Sequence, residues 1–161
     1  SLDLSGCTRV TDLGPLSGLH KLTRLDLQGC AAVEDLGPLA NLQALQWADV
    51  RGLEQIDDVS PLGAIAGLRW LDLGGCTSLT DLSPLTRLTH LQALVLHGCT
   101  GVEDLSPLTA LRPLRALVIS GCTGVFDLAP LRMLPRRGRV WVRGSGVRIV
   151  PPDLEWEVIG L

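Results

Sequence analysis

Glycine recurs at positions 6, 29, 52, 75, 98, 121 and 144, always 23 residues from the last. Around these glycines the chain repeats one unit, L-x-L-x-G-C-x-x-V-x-D-L-x-P-L-x-x-L-x-x-L-x-x. Units start near Leu2, Leu25, Ala48, Leu71, Leu94 and Leu117, with a decayed copy at Val140. A fixed period of this length marks a stacked array, in which each unit buries its apolar side chains against its two neighbours. The composition agrees: hydrophobic residues make up 46% of the chain, yet it holds one Phe and no Tyr, so the core must be leucine. One domain follows.

Within a unit, L-x-L alternates apolar with polar residues, as in Leu25 and Leu27 against Arg24, Asp26 and Gln28, which is the period of a half-buried strand. Gly-Cys ends the strand. Ser60-Pro61, Ser83-Pro84 and Ser106-Pro107 then read as an N-cap residue followed by proline at the first helical position, where a missing N–H costs nothing. About one or two turns fit before the next strand. Seven strands pairing in parallel at about 4.8 Å would form a sheet roughly 29 Å across.

The arrangement L-x-x-L-x-x-L-x-L-x-x-C, seen in Leu19, Leu22, Leu25, Leu27 and Cys30, resembles the leucine-rich repeat family from Leu2 to about Val150. The resemblance implies an α/β solenoid: an arc with a parallel β-sheet on its concave face and short helical or 3-10 turns on its convex face. Two residues separate Cys30 from Val33, closer to the cysteine type of repeat than to the commoner asparagine type. Residues 1–150 form the array. From Leu134 the pattern decays, Gly144-Ser145-Gly146 is read as a one-residue register shift, and 151–161 forms a C-terminal cap. In that cap Leu154, Trp156, Val158 and Ile159 alternate with Glu155 and Glu157 as a closing strand does, with Trp156 in the core. Ser1 is not a natural initiator and directly precedes a strand, so a fragment of a longer protein is expected.

Two columns are nearly constant from unit to unit and are assigned to the scaffold. Cys7, Cys30, Cys76, Cys99 and Cys122 share one phase, with Leu53 in the sixth place. Parallel side chains one strand apart do not converge on a tetrahedral zinc ion, and an odd number of thiols pointing the same way suits disulfides poorly. They read as reduced, buried thiols acting as small hydrophobes with a weak donor for loop backbone, which suits a reducing compartment. Asp12, Asp35, Asp58, Asp81, Asp104 and Asp127 stand before Leu-x-Pro and are placed to accept N–H groups of the turn. A calcium ladder is the alternative, but the Gly-Gly-x-Gly-x-Asp pattern of such repeats is missing. No metal or cofactor is expected.

The outward strand positions vary, and variation is where a partner can be read. One phase runs Arg24, Trp47, Trp70, Ala93, Ala116, Arg139. The next runs Asp3, Asp26, Asp49, Asp72, Val95, Val118, Trp141, and the third Ser5, Gln28, Arg51, Gly74, His97, Ser120, Arg143. Tryptophan is enriched among the residues that dominate interfaces. We therefore take Arg24, Asp26, Trp47, Asp49, Arg51, Trp70, Asp72, Val95, His97, Val118 and Trp141 as the candidate partner-binding face. The aspartates form a like-charge column that a cationic partner would relieve. The expected ligand is a protein or peptide carrying basic and apolar residues. Alternatively, Trp47 and Trp70 cover one another and the sheet while the aspartates are merely solvated.

Catalysis finds no support. His20 and His90 fall in turn segments, His97 is on the concave face at a different phase from any fixed Ser or Cys column, and the glycines lack the lysine of a phosphate loop. The net charge of −3 divides into −5 over residues 1–80 (five basic, ten acidic) and +2 over 81–161 (nine basic, seven acidic). The basic residues Arg132, Arg136, Arg137, Arg139, Arg143 and Arg148 have only Trp141 interleaved, which disfavours nucleic acid as a partner. No apolar run approaches the ~20 residues of a membrane span. The repeated Gly-Cys-Thr-x-x-x-Asp-Leu-Ser-Pro-Leu units, with Arg preferred to Lys by 13 to 1, are similar to the C-terminal arrays of bacterial NACHT-type ATPases related to NOD-like receptors. That resemblance implies a cytoplasmic, non-enzymatic ligand-sensing segment that works with other domains of its parent chain. An internalin-like surface adhesin and a substrate adaptor or inhibitor are the alternatives, the free cysteines arguing against the adhesin.

Overall fold

The L-x-L triplet is followed by glycine with φ between 70° and 79° at all seven phased positions, a left-handed conformation that side chains disfavour. Each strand is therefore cut at two or three residues. The computed structural model describes residues 1–134 and 138–161. It contains β1 (Leu2–Asp3), β2 (Arg24–Asp26), β3 (Trp47–Asp49), β4 (Trp70–Asp72), β5 (Ala93–Val95), β6 (Ala116–Val118), β7 (Arg139–Trp141) and β8 (Glu157–Ile159). They form one parallel sheet in chain order, with Leu25, Ala48, Leu71, Leu94, Leu117 and Val140 in register. β8 is the closing strand, pairing Val158 with Val140. Behind it Trp156 is buried and Leu154 half-buried.

The return half of each unit is a single turn. Five are 3-10 (Gly14–Leu16, Gly37–Asn41, Ser83–Arg87, Ser106–Ala110, Ala129–Met133) and one is α-helical, α1 (Ser60–Gly63). The expected Ser N-cap is displaced by one residue. Val59, Leu82 and Leu105 hold the cap position without a side-chain bond, and Ser60, Ser83 and Ser106 are the first turn residues. The reason is that Asp58, Asp81 and Asp104 already capture the serine N–H groups, at 2.8, 2.8 and 2.7 Å. Between sheet and turns lies a fully buried leucine core, including Leu25, Leu27, Leu39, Leu42 and Leu45 in one unit.

The expected one-residue register shift falls just after Ser145: Asp127 bridges Ile149, 22 residues on, whereas strands β1 to β7 pair residues 23 apart. Gly144 keeps φ 70°, and Ser145 N–H returns to the Val142 carbonyl just as Cys122 N–H returns to Ile119. The last unit thus keeps its phase through Ser145, which takes the cysteine place, and is one residue shorter beyond it. Pro135, Arg136 and Arg137, counted above in the decayed turn and the basic run, lie outside the described residues. Arg132 pairs with Asp153, and Arg139 Nε lies 2.8 Å from Glu157 Oε2, so part of the basic end is tied to the acidic tail. Among the described residues no helix is long and apolar enough to cross a membrane.

Candidate protein-binding face

Because inward leucines alternate with outward residues, the three variable phases lie side by side on the open face of the sheet. In the first, register places Arg24, Trp47 and Trp70 on successive strands. The indoles stack with centroids 4.4 Å apart and planes 3° from parallel, and the Arg24 guanidinium carbon sits 3.5 Å above the Trp47 ring. The ladder ends at Trp70, since Ala93 and Ala116 follow it with single methyl groups. Both tryptophans remain half-exposed.

The second phase is not the solvated acidic column expected. Asp49 and Asp72 are 1% and 5% exposed, Asp26 is half-buried, and only Asp3 is fully open. Each carboxylate accepts the N–H two residues ahead: Ser5 at 2.9 Å, Gln28 at 3.0 Å, Arg51 at 3.1 Å and Gly74 at 2.8 Å. These aspartates cap their own strand exits. Asp49 Oδ2 also lies 3.1 Å from Arg51 Nη2, which bonds Gln28 Oε1 at 2.7 Å. Burial raises both the Asp49 and Asp72 carboxyls above the usual range, against the capping bonds. The two covered aspartates belong to the tryptophan-bearing strands. From β5 onward Val95, Val118 and Trp141 take the same phase, half-exposed.

In the third phase Arg51 and His97 are exposed, and Gly74 between them carries no side chain. A Cβ at Gly74 would stand 3.0 Å from Asp72 Oδ1. Its absence leaves a notch of about 460 Å³ between Arg51 and His97, with Val95 at its edge. His20 and His90 lie in the turns and are exposed, with Nδ1 3.4 Å from the Asn41 carbonyl and 3.1 Å from that of Ala66.

The scaffold columns sit elsewhere. Asp12, Asp35 and Asp127 bond the N–H of Gly14, Gly37 and Ala129, each at 2.7 Å, completing the series begun by Asp58, Asp81 and Asp104. Hydrogen bonding by Ser60, Ser83 and Ser106 holds those last three carboxyls below the usual range. Cys30, Cys76, Cys99 and Cys122 are buried, and each thiol donates to a carbonyl 26 residues earlier, in the preceding strand segment: Leu4, Val50, Leu73 and Leu96. Cys7 is exposed. Among the described residues no group of three His, Cys, Asp or Glu could hold a metal ion.

A family model described as Leucine Rich repeats (2 copies) matches residues 1–41. The chain has the fold of a leucine-rich-repeat solenoid. Internalin C2 from Listeria monocytogenes superposes with a TM-score of 0.73 at 28% identity, over 92% of this chain and 60% of its own. The domain of InlJ from the same organism, described as including a cysteine ladder, gives 0.59 at 18% identity over 93% of this chain and 37% of its own. A TLR13–ssRNA13 complex shares the fold at a TM-score of 0.52 and 18% identity, over 84% of this chain and 24% of its own. The solenoid thus spans less than two thirds of each. No curated protein matches it in sequence. Leucine-rich-repeat domains typically serve as binding scaffolds for protein ligands, and the TLR13 complex holds an RNA.

Proposed function

We propose that the solenoid recognises a protein ligand on the open face of its sheet, with Trp47, Trp70, Val95, Val118, His97 and Trp141 making contact and Arg24, Asp26, Asp49, Arg51 and Asp72 shaping the surface beneath and beside them. The observation that carries this reading is the Arg24–Trp47–Trp70 ladder, which leaves one indole face open on a surface where a solubility-driven sequence would place small polar groups. Affinity capture with the intact chain tests it. Trp70→Ala combined with Val118→Arg should abolish retention of the partner, while Thr89→Arg on the turn side should not. Equal retention by all three proteins would move the binding surface away from the sheet.

The parent is read as a cytoplasmic, NACHT-type ATPase of bacterial defence, with this segment as its C-terminal ligand sensor. The supports are the Gly-Cys-Thr units, the arginine preference and the free thiols. A second reading, a surface adhesin, is favoured by the likeness to internalin C2. The cysteine ladder of InlJ removes the objection that a thiol column speaks against such a parent. The gene upstream of Ser1 separates them. A P-loop ATPase domain there supports the sensor, and a signal peptide with wall-anchoring features supports the adhesin.

A further inference from the structure

We infer that the ligand of this face is an acidic peptide segment bearing an aromatic or large aliphatic residue, seated in a trough between Trp70 and Trp141; the inference rests on the sheet-face reading above. The trough follows from register. Trp70 on β4 and Trp141 on β7 stand three strands apart, about 14 Å at normal strand spacing. Between them β5 and β6 present only Ala93, Val95, Ala116 and Val118, all half-exposed. Trp70 meets this floor with the ring face that its stacking partner Trp47 does not cover. A planar or bulky apolar side chain placed over Ala93 and Ala116 would continue the ladder at its own spacing, as Arg24 continues it at the other end.

Charge selects what flanks that side chain. Across residues 92–97, 115–120 and 138–143, which are β5, β6 and β7 with their immediate neighbours, the only ionisable side chains are His97, Arg115, Arg139 and Arg143, and all four are exposed. Arg139 is taken by Glu157, whereas among the described residues neither Arg115 nor Arg143 is in an ion pair. The aspartates that would have called for a basic ligand lie on Trp70's own strand and on the strands before it, and two of them, Asp49 and Asp72, are buried in strand-exit caps. A cationic ligand would therefore meet arginines over the trough, and an anionic one would meet complementary charge. One trough with one open indole face gives a single stacking platform, which fits an anchoring side chain better than the succession of stacked bases that a single-stranded nucleic acid presents.

Selection from a random 12-residue peptide library displayed on phage, against the 161-residue chain, tests this. Recovered peptides should combine Phe, Tyr, Trp or Leu with several Asp or Glu. Their affinity should fall at least tenfold on Arg115→Glu with Arg143→Glu, should fall with rising salt, and should vanish on Ala116→Glu, which fills the floor. Far-UV circular dichroism and Tm of the variants verify that they fold. Basic peptides lost on Trp70→Ala would overturn the acidic-ligand inference and leave the sheet-face reading standing. Peptides indifferent to every sheet-face variant would overturn both. A single-stranded oligonucleotide that binds tightly and is released by the double arginine variant would overturn the inference in favour of nucleic acid.

Discussion

Asp49 and Asp72 sit side by side on adjacent strands, at positions that alternation assigns to solvent, and burial raises both carboxyls. A carboxyl raised by folding contributes stability that is complete below its unfolded value, near 3.9, and lost as pH climbs through the higher folded value. Asp3, Asp58, Asp81 and Asp104 have the opposite sign: lowered by hydrogen bonds, they stabilise above about 3.9 and lose that as pH falls through their depressed values. Asp72→Asn keeps an oxygen for the Gly74 N–H and removes the buried charge. Its Tm should equal or exceed that of the parent at pH 7, with the advantage closing as the pH is taken to 3.5. An Asn variant less stable by the same amount at both values would mean that the charge itself is required. Asp104→Ala, by contrast, leaves the Ser106 N–H without its acceptor and should cost about 1 kcal/mol at pH 7 by urea denaturation.

At the scale of the element, strands and turns were legible because one period fixes seven copies of the strand and six of the turn among the described residues. The glycine phase located the ends of β1 to β7, and the Asp12 phase and four of the five cysteines lie where they were placed; Cys7, expected to be buried with the others, is exposed on the edge unit of the sheet. What alternation could not reveal was burial on the sheet face. Period two tells which side a residue is on, and whether it is wet depends on what closes over it, here the strand-exit backbone that Asp49 and Asp72 cap and, for Asp49, the Arg51 side chain. A signal was nevertheless available: Asp3, Asp26, Asp49 and Asp72 each precede a strand exit by the same two residues that separate Asp58 from Ser60. The same rule explains the displaced serine cap, since the acceptor was already supplied two residues upstream. The thiols extend the logic between units. Burial pushes Cys76 up to about 12 and Cys122 up to about 11, and raises Cys30 and Cys99 as well. At pH 8 an aromatic disulfide reagent should label Cys7 rapidly and the four buried thiols only on unfolding. Several thiols reacting quickly in the folded protein would contradict the column. Cys99→Ala, losing its 3.0 Å bond to the Leu73 carbonyl, should cost about 1–2 kcal/mol.

Over the whole molecule, the backbone neighbours of each strand are the strands before and after it, and those of each turn are the adjacent turns, among the described residues. Stability is then a chain of unit and interface terms, because the leucine core between sheet and turns is itself laid down unit on unit. An interior defect acts on two interfaces at once, whereas one at β1 acts on a single neighbour. Leu94 is fully buried on β5 and faces Leu71 and Leu117 across both. Leu94→Ala should cost about 3 kcal/mol and weaken the link between the halves of the array. Amide exchange should then quicken first in β5 and β6, while β2 and β3 stay protected by their own interfaces. Leu2→Ala on the half-buried first strand should instead leave β4 to β7 exchanging at parental rates. Uniform acceleration across all strands in both variants would show that the array unfolds as one cooperative body, with long-range coupling that nearest-neighbour packing does not provide. The same experiment bears on recognition, because the proposed trough spans β4 to β7. If its strands open together, Leu94→Ala should weaken peptide capture in proportion to the fraction opened, although Leu94 itself points away from the ligand.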